Sequence, residues 1–120
     1  MNHDWQKMTV DLTAAIKDLR VGAPNVMKSF SALAQAATQA NALDTKTKEL
    51  IALAIAVATR CDGCIAFHAQ SAAKLGASME EVMETVGMAI YMGAGPSVMY
   101  AAQAVEAYNQ FKNPPGEAGT

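Results

Sequence analysis

The strongest constraint on the fold is an apolar run of nine residues, Leu50 to Ala58, which follows a short polar segment. Asp44 can cap a helix that begins near Thr45. A helix that is apolar on all sides is expected at the centre of a fold. The run is shorter than the roughly 20 residues that a membrane-spanning helix needs. The sequence therefore predicts a central helix of a helical domain, extending to about Arg60.

Further helices are predicted on both sides of this one, from capping residues and from apolar residues at helical spacing. Their expected starts, in chain order, are at Asp4, Pro24, Gly63, Met79 and Pro96. No stretch alternates with the period of a strand, and no repeat is found. We expect an all-α fold of about six helices in a single domain spanning residues 1–120. The core should cover about 25–110, and residues 112–120 should form a flexible tail.

The composition narrows the possible partners. Hydrophobic residues make up 52% of the chain but aromatic residues only 6%. A core built largely from alanine buries little area, so such chains often gain area by oligomerising. The net charge of -2 gives no reason to expect a nucleic acid or a membrane as partner. With no signal peptide recognised, the expected location is the cytoplasm.

The chemistry is concentrated in the segment from Cys61 to His68, which contains the only two cysteines of the chain, Cys61 and Cys64. In the cytoplasm, such a pair is more often catalytic or metal-binding than structural. The loop between the cysteines is too short for a disulfide to constrain the unfolded chain much. The N-terminus of a helix favours a thiolate, and His68, four residues after Cys64, is placed to act as its base. We interpret the segment as a redox site.

A carboxylate is predicted to join this site. Glu49 precedes Cys61 by twelve residues, which is about 18 Å along a straight helix. If the third and fourth helices form a hairpin, Glu49 is offset from His68 by only about 7 Å along the axis. The prediction is that Glu49 acts through His68 or a water molecule as a proton relay.

The spacing of Glu49, Cys61, Cys64 and His68 resembles the core motif of the AhpD-like alkylhydroperoxidases, within the carboxymuconolactone decarboxylase superfamily. Neighbouring segments are also similar to that superfamily, and the similarity covers about residues 25–110. These segments are 48–54, 72–77 with the following Glu80 and Glu81, and 95–97 with the following Tyr100 and Ala101.

The resemblance implies an AhpD-like helical bundle that assembles as a homo-oligomer, usually a trimer or a hexamer. It implies reduction of small hydroperoxides in antioxidant defence, without a bound cofactor or metal. Cys64 would attack the peroxide, Cys61 would resolve the adduct, and His68 and Glu49 would move the proton. Electrons would come from a dithiol donor such as a lipoyl-bearing protein or a thioredoxin-like protein.

Other interpretations of the same residues remain open. The cysteines could be inert core residues, or they could bind zinc with His68 and a fourth ligand, either Glu49 or His3. The protein could instead be a decarboxylase of a carboxymuconolactone-like lactone, which does not call for two cysteines. It could also be a non-enzymatic redox sensor whose thiols change its assembly.

Overall fold

The computed structural model describes residues 3–114, and within this range the chain is all α-helical. The five helices are α1 (Trp5–Gly22), α2 (Pro24–Thr38), α3 (Thr45–Ala58), α4 (Asp62–Lys74) and α5 (Met79–Lys112). The predicted fold class is confirmed. Of the expected flexible tail, Lys112 still belongs to α5, and residues 115–120 lie outside the described part of the chain.

Three helices begin where the sequence predicted, each after a capping side chain. The carboxylate of Asp4 accepts a hydrogen bond from the Lys7 amide, and that of Asp44 accepts one from the Thr47 amide. At α5, Ser78 and Glu81 each accept the other's backbone N–H, which is a complete capping box. Local chemistry therefore fixes the starts of α1, α3 and α5.

The predicted fifth and sixth helices form the single element α5, with a sharp bend inside it. Ala94 has φ 55° and ψ −138°, so the backbone leaves the helical conformation where the sequence placed a break. A Cβ atom at Gly93 would overlap Oγ of Ser97, so these two residues pack closely beside the bend. Within residues 3–114, no helix is both long enough and apolar enough to cross a bilayer.

The core lies between α3, α4 and α5. Its largest fully buried side chains include Leu53, Ile65 and Val82, one from each of these helices. Trp5 fixes the start of α1 to α5, since its buried indole N–H donates to Glu106 at 2.8 Å. Helix α3 is central but not enclosed, because Ile55 is 56% exposed. The sequence predicted that α3 is buried on every side, but within a single chain only one side of the helix is buried.

Helix α2 is the exception to this packing, because none of its residues is buried. Among the helices of the described residues, it packs against α1 and α3 alone. Its apolar residues Val26, Phe30 and Leu33 recur at helical spacing on one face, and that face points away from the protein.

Candidate active site

The turn between α3 and α4 brings the candidate site together. Arg60 adopts a left-handed conformation with φ 58°. The amide of Arg60 bonds to the carbonyl of Val57, and that of Cys61 bonds to the carbonyl of Ala56. This Schellman pattern ends α3. The reversal therefore occurs at Arg60, which the sequence assigned to the end of the central helix, and α4 begins at Asp62, one residue before the expected start at Gly63.

Cys61 and Cys64 form a disulfide at the start of α4, with their Cα atoms 5.2 Å apart. Cys61 is the N-cap residue of the helix, and its sulfur accepts a hydrogen bond from the Cys64 amide at 3.2 Å. Free amides and the helix dipole at this end stabilise negative charge on sulfur. The same geometry that holds the disulfide would thus favour a thiolate after reduction.

Helix α1 packs over Gly63, one of the two residues between the cysteines. A Cβ atom at Gly63 would lie 3.0 Å from Cδ1 of Leu12, so α1 approaches closely because position 63 is glycine. The sequence marked Gly63 only as the expected start of a helix. Its packing role depends on where α1 crosses α4, and a local pattern does not contain that information.

Glu49 and His68 meet across the α3–α4 hairpin, as the hairpin hypothesis required. Oε2 of Glu49 lies 2.6 Å from Nδ1 of His68. The contact is direct, and Glu49 is only 7% exposed. When the carboxylate is ionised, Nδ1–H donates to it, which leaves Nε2 free to accept a proton.

The imidazole is also close to the sulfur pair in sequence and on the helix surface. His68 follows Cys64 by four residues on α4, so their Cβ atoms are about 5–6 Å apart. Both side chains are partly exposed, whereas Glu49 is buried behind them. The arrangement offers a reducible sulfur pair, a base that solvent can reach and a buried carboxylate that orients the base.

The zinc-binding interpretation requires at least three ligand side chains close to one another. Within residues 3–114, no three His, Cys, Asp or Glu side chains are grouped closely enough to hold a metal ion. His3, one possible fourth ligand, has its ring packed 5.1 Å from the ring of Trp5.

A family model and a solved structure that are similar to this chain both point to the same protein family. The model of the carboxymuconolactone decarboxylase family matches residues 24–107. The chain is similar to the crystal structure of an apo carboxymuconolactone decarboxylase family protein from Legionella pneumophila. The TM-score is 0.89 at 53% identity, covering 92% of this chain and 99% of that one.

Two uncharacterised proteins are similar to the chain over most of their length. One, from Haemophilus influenzae, is 42% identical over 106 residues, which cover 88% of this chain and 94% of the relative. The other, from Cupriavidus necator, is 38% identical over 105 residues, covering 82% and 93%. The matched regions include α3, α4 and most of α5, the helices that form the core.

Proposed function

The chain belongs to the carboxymuconolactone decarboxylase family, and from this premise we propose that it is a thiol-dependent hydroperoxide reductase of the AhpD type, acting in antioxidant defence. One observation carries the proposal. A cysteine pair bonded at a helix N-terminus adjoins a histidine that is hydrogen-bonded to a buried carboxylate. Cysteine pairs held in this way are suited to cycling between dithiol and disulfide.

In the first step, the thiolate of Cys64 attacks one oxygen of the hydroperoxide. An S–O bond forms and the O–O bond breaks, so Cys64 becomes a sulfenic acid. The departing alkoxide takes a proton and leaves as an alcohol. His68 is the base nearest to Cys64 along α4, so it first accepts the thiol proton. As an imidazolium, it then supplies that proton to the alkoxide.

In the second step, the sulfur of Cys61 attacks the Cys64 sulfenic acid. The S–S bond forms and water leaves, which gives the disulfide seen in the structure. A dithiol donor, a lipoyl-bearing or thioredoxin-like protein, then returns two electrons and two protons. Over the whole cycle, one hydroperoxide and one donor dithiol become an alcohol, water and a donor disulfide.

The proton relay depends on Glu49. Its carboxylate holds His68 in the orientation with Nδ1 protonated and stabilises the imidazolium that forms when Nε2 accepts the thiol proton. We expect the cycle to operate in the cytoplasm, where thiols are kept reduced. We also expect a homo-oligomer, a trimer or a hexamer. The exposed apolar side chains of α2 and α5 support this expectation.

A thiol count tests the proposal. The protein is reduced, freed of reductant and mixed with cumene hydroperoxide, and free thiols are titrated with time. Two thiols should disappear per peroxide consumed. Cys64→Ser should consume none, whereas Cys61→Ser should accumulate a sulfenic acid that dimedone traps. Full retention of both thiols in the native protein would exclude this function.

A lactone decarboxylase is the second candidate, and the family match is the observation that favours it. That reaction needs no thiol chemistry. The variant with both Cys61→Ser and Cys64→Ser should then keep its activity on a carboxymuconolactone while consuming no peroxide. Absence of lactone turnover by the native protein would remove this candidate.

A further inference from the structure

We propose that a fatty acid hydroperoxide binds in a groove between α1 and α4, with its carboxylate on Lys17 and Arg20 and its peroxide directed toward Cys64. The groove has a volume of about 530 Å³. Sites for small molecules typically measure roughly 300–1,000 Å³. The inference rests on the peroxide reduction of the proposed function and names the class of substrate that the site takes.

The groove lies beside the cysteine pair because of the way α1 crosses α4. Leu12 of α1 meets Gly63 of α4, where a Cβ atom would be only 3.0 Å from Cδ1 of Leu12. Phe67 follows Gly63 by four residues, so it lies on the face of α4 that α1 crosses, and it forms one wall of the groove. Cys64 precedes Phe67 by three residues, and such pairs have their Cβ atoms about 5–6 Å apart. The groove therefore reaches to within one turn of α4 from the reactive sulfur.

The lining of the groove is largely apolar. Beside Phe67, α1 contributes Val10, Ala14 and Ile16. Ile16 and Phe67 are partly buried, while Val10 is 68% exposed, so the groove is open to solvent. A hydrocarbon chain gains free energy when it covers such side chains, whereas a small polar peroxide gains little. The lining therefore favours a long-chain hydroperoxide.

Two cations also line the groove, and none of its described lining residues is Asp or Glu. Neither Lys17 nor Arg20 forms an ion pair among the described residues. Nη1 of Arg20 donates to Oγ of Ser31 on α2 at 2.9 Å. This bond orients the guanidinium and leaves its other N–H groups available to an anion. A carboxylate is a group that both cations can bind, so the charge of the groove favours a fatty acid over a neutral hydroperoxide.

The distance from the cations to the sulfur fits a peroxide in the middle of the chain. Lys17 and Arg20 follow Leu12 by five and eight residues, which is about 7.5 Å and 12 Å along α1. Because Leu12 lies against the residue before Cys64, the carboxylate and the peroxide should be separated by about 8–12 Å. A fatty acid that is oxidised near the middle of its chain has this separation.

The reaction at sulfur is the one already described. The O–O bond of the fatty acid hydroperoxide breaks as the S–O bond to Cys64 forms, and Cys64 becomes a sulfenic acid. The alkoxide takes a proton from the imidazolium of His68 and leaves as a hydroxy fatty acid. The groove holds the peroxide against the sulfur through contacts far from the reacting atoms, which raises kcat/KM for this class of substrate.

Two matched substrates test the role of the carboxylate. Linoleic acid hydroperoxide and its methyl ester differ in the charge of the head group, and both are used below the concentration at which they form micelles. Stopped-flow measurement gives the rate of thiol loss from the reduced protein. The acid should react about 10-fold faster than the ester, as expected for two exposed ion pairs. Added salt should reduce this preference, because the cations are exposed.

A double variant assigns the preference to the groove. Lys17→Met together with Arg20→Met keeps two flexible apolar side chains but removes both charges, and it should abolish the preference for the acid. Lys28→Met removes a cation of α2 that does not line the groove, so this control should keep the native preference. The ratio compares two substrates on one protein, so a partly inactive preparation does not alter it.

Two results would overturn the inference: equal rates for acid and ester in the native protein, or a preference that survives in the double variant. Cumene hydroperoxide decides the proposed function separately, because it carries no carboxylate. If it oxidises no thiols, isothermal titration calorimetry with linoleate still tests the groove. The native protein should bind linoleate about 10-fold more tightly than the double variant does. Equal binding by the two proteins would show that the groove is not a fatty acid site.

Discussion

Glu49 and His68 are hydrogen-bonded across the α3–α4 hairpin, with 2.6 Å between Oε2 and Nδ1. The carboxylate belongs to the first turns of α3 and the imidazole to the middle of α4, so the bond links the two helices that flank the cysteine turn. A buried carboxylate facing a more exposed imidazole fixes the ring and leaves its second nitrogen available to the site.

Replacing this carboxylate by its neutral isostere tests the role of its charge. Glu49→Gln can still accept the Nδ1–H bond, but it no longer stabilises an imidazolium. We expect thiol oxidation by hydroperoxide to slow by roughly 100-fold, the lower end of the 10²–10⁴-fold that a positioned acid–base group typically contributes, because Glu49 acts through His68. Stopped-flow thiol titration measures the rate. The exposed Glu84→Gln is the matched control, and an equal rate in both variants would show that the charge is not used.

Removing the imidazole tests the structural side of the same bond. His68→Phe leaves the Glu49 carboxylate buried without its partner, which should cost about 3 kcal/mol of unfolding free energy. The double variant with Glu49→Leu should lose less than the sum of the two single changes, because no charge is then left unpaired. Urea unfolding of the four proteins measures this coupling. Additive losses would mean that the pair does not interact.

The left-handed Arg60 should be a site where glycine stabilises the protein. A side chain in this conformation costs about 1–2 kcal/mol, while glycine adds about 0.5–1 kcal/mol of unfolded-state entropy. Arg60→Gly should therefore gain roughly 0.5–1 kcal/mol in urea unfolding. Arg60→Ala keeps the strained conformation and should change little. Destabilisation by glycine, with alanine neutral, would show that the backbone conformation at residue 60 is not strained.

Features fixed by neighbouring residues were predictable from the sequence. The caps at Asp4, Asp44 and Ser78 depend on side chains reaching amides three residues on, so a local pattern identifies them. The hairpin hypothesis brought Glu49 and His68 near each other, but with an expected axial offset of about 7 Å, so their direct contact was not predicted.

Features that depend on how distant helices cross were not predictable. The packing of Leu12 on Gly63 requires the path of α1 over α4. The exposure of Phe30 requires knowing that α2 has no partner in its own chain, since an apolar stripe looks the same whether its own chain or another covers it. The turn at Arg60 was missed because a Schellman motif there usually carries glycine or asparagine.

Acid should weaken the start of α5 through Glu81. The pKa of Glu81 lies below its usual range because the carboxylate accepts the Ser78 amide N–H and pairs with Lys46 at 2.9 Å. A lowered folded-state pKa gives stability that is fully present above the unfolded value of about 4.3 and is lost as pH falls through the folded value.

Glu81→Gln keeps the capping geometry but not the charge. The variant should therefore unfold at lower urea than the native protein at pH 7, and the two midpoints should converge only as pH falls through the lowered folded-state pKa of Glu81. Glu84 is an exposed residue of α5 without an ion pair among the described residues. The control Glu84→Gln should therefore show no such convergence. A gap between Glu81→Gln and the native protein that stays constant with pH would show that the Glu81 charge does not stabilise α5.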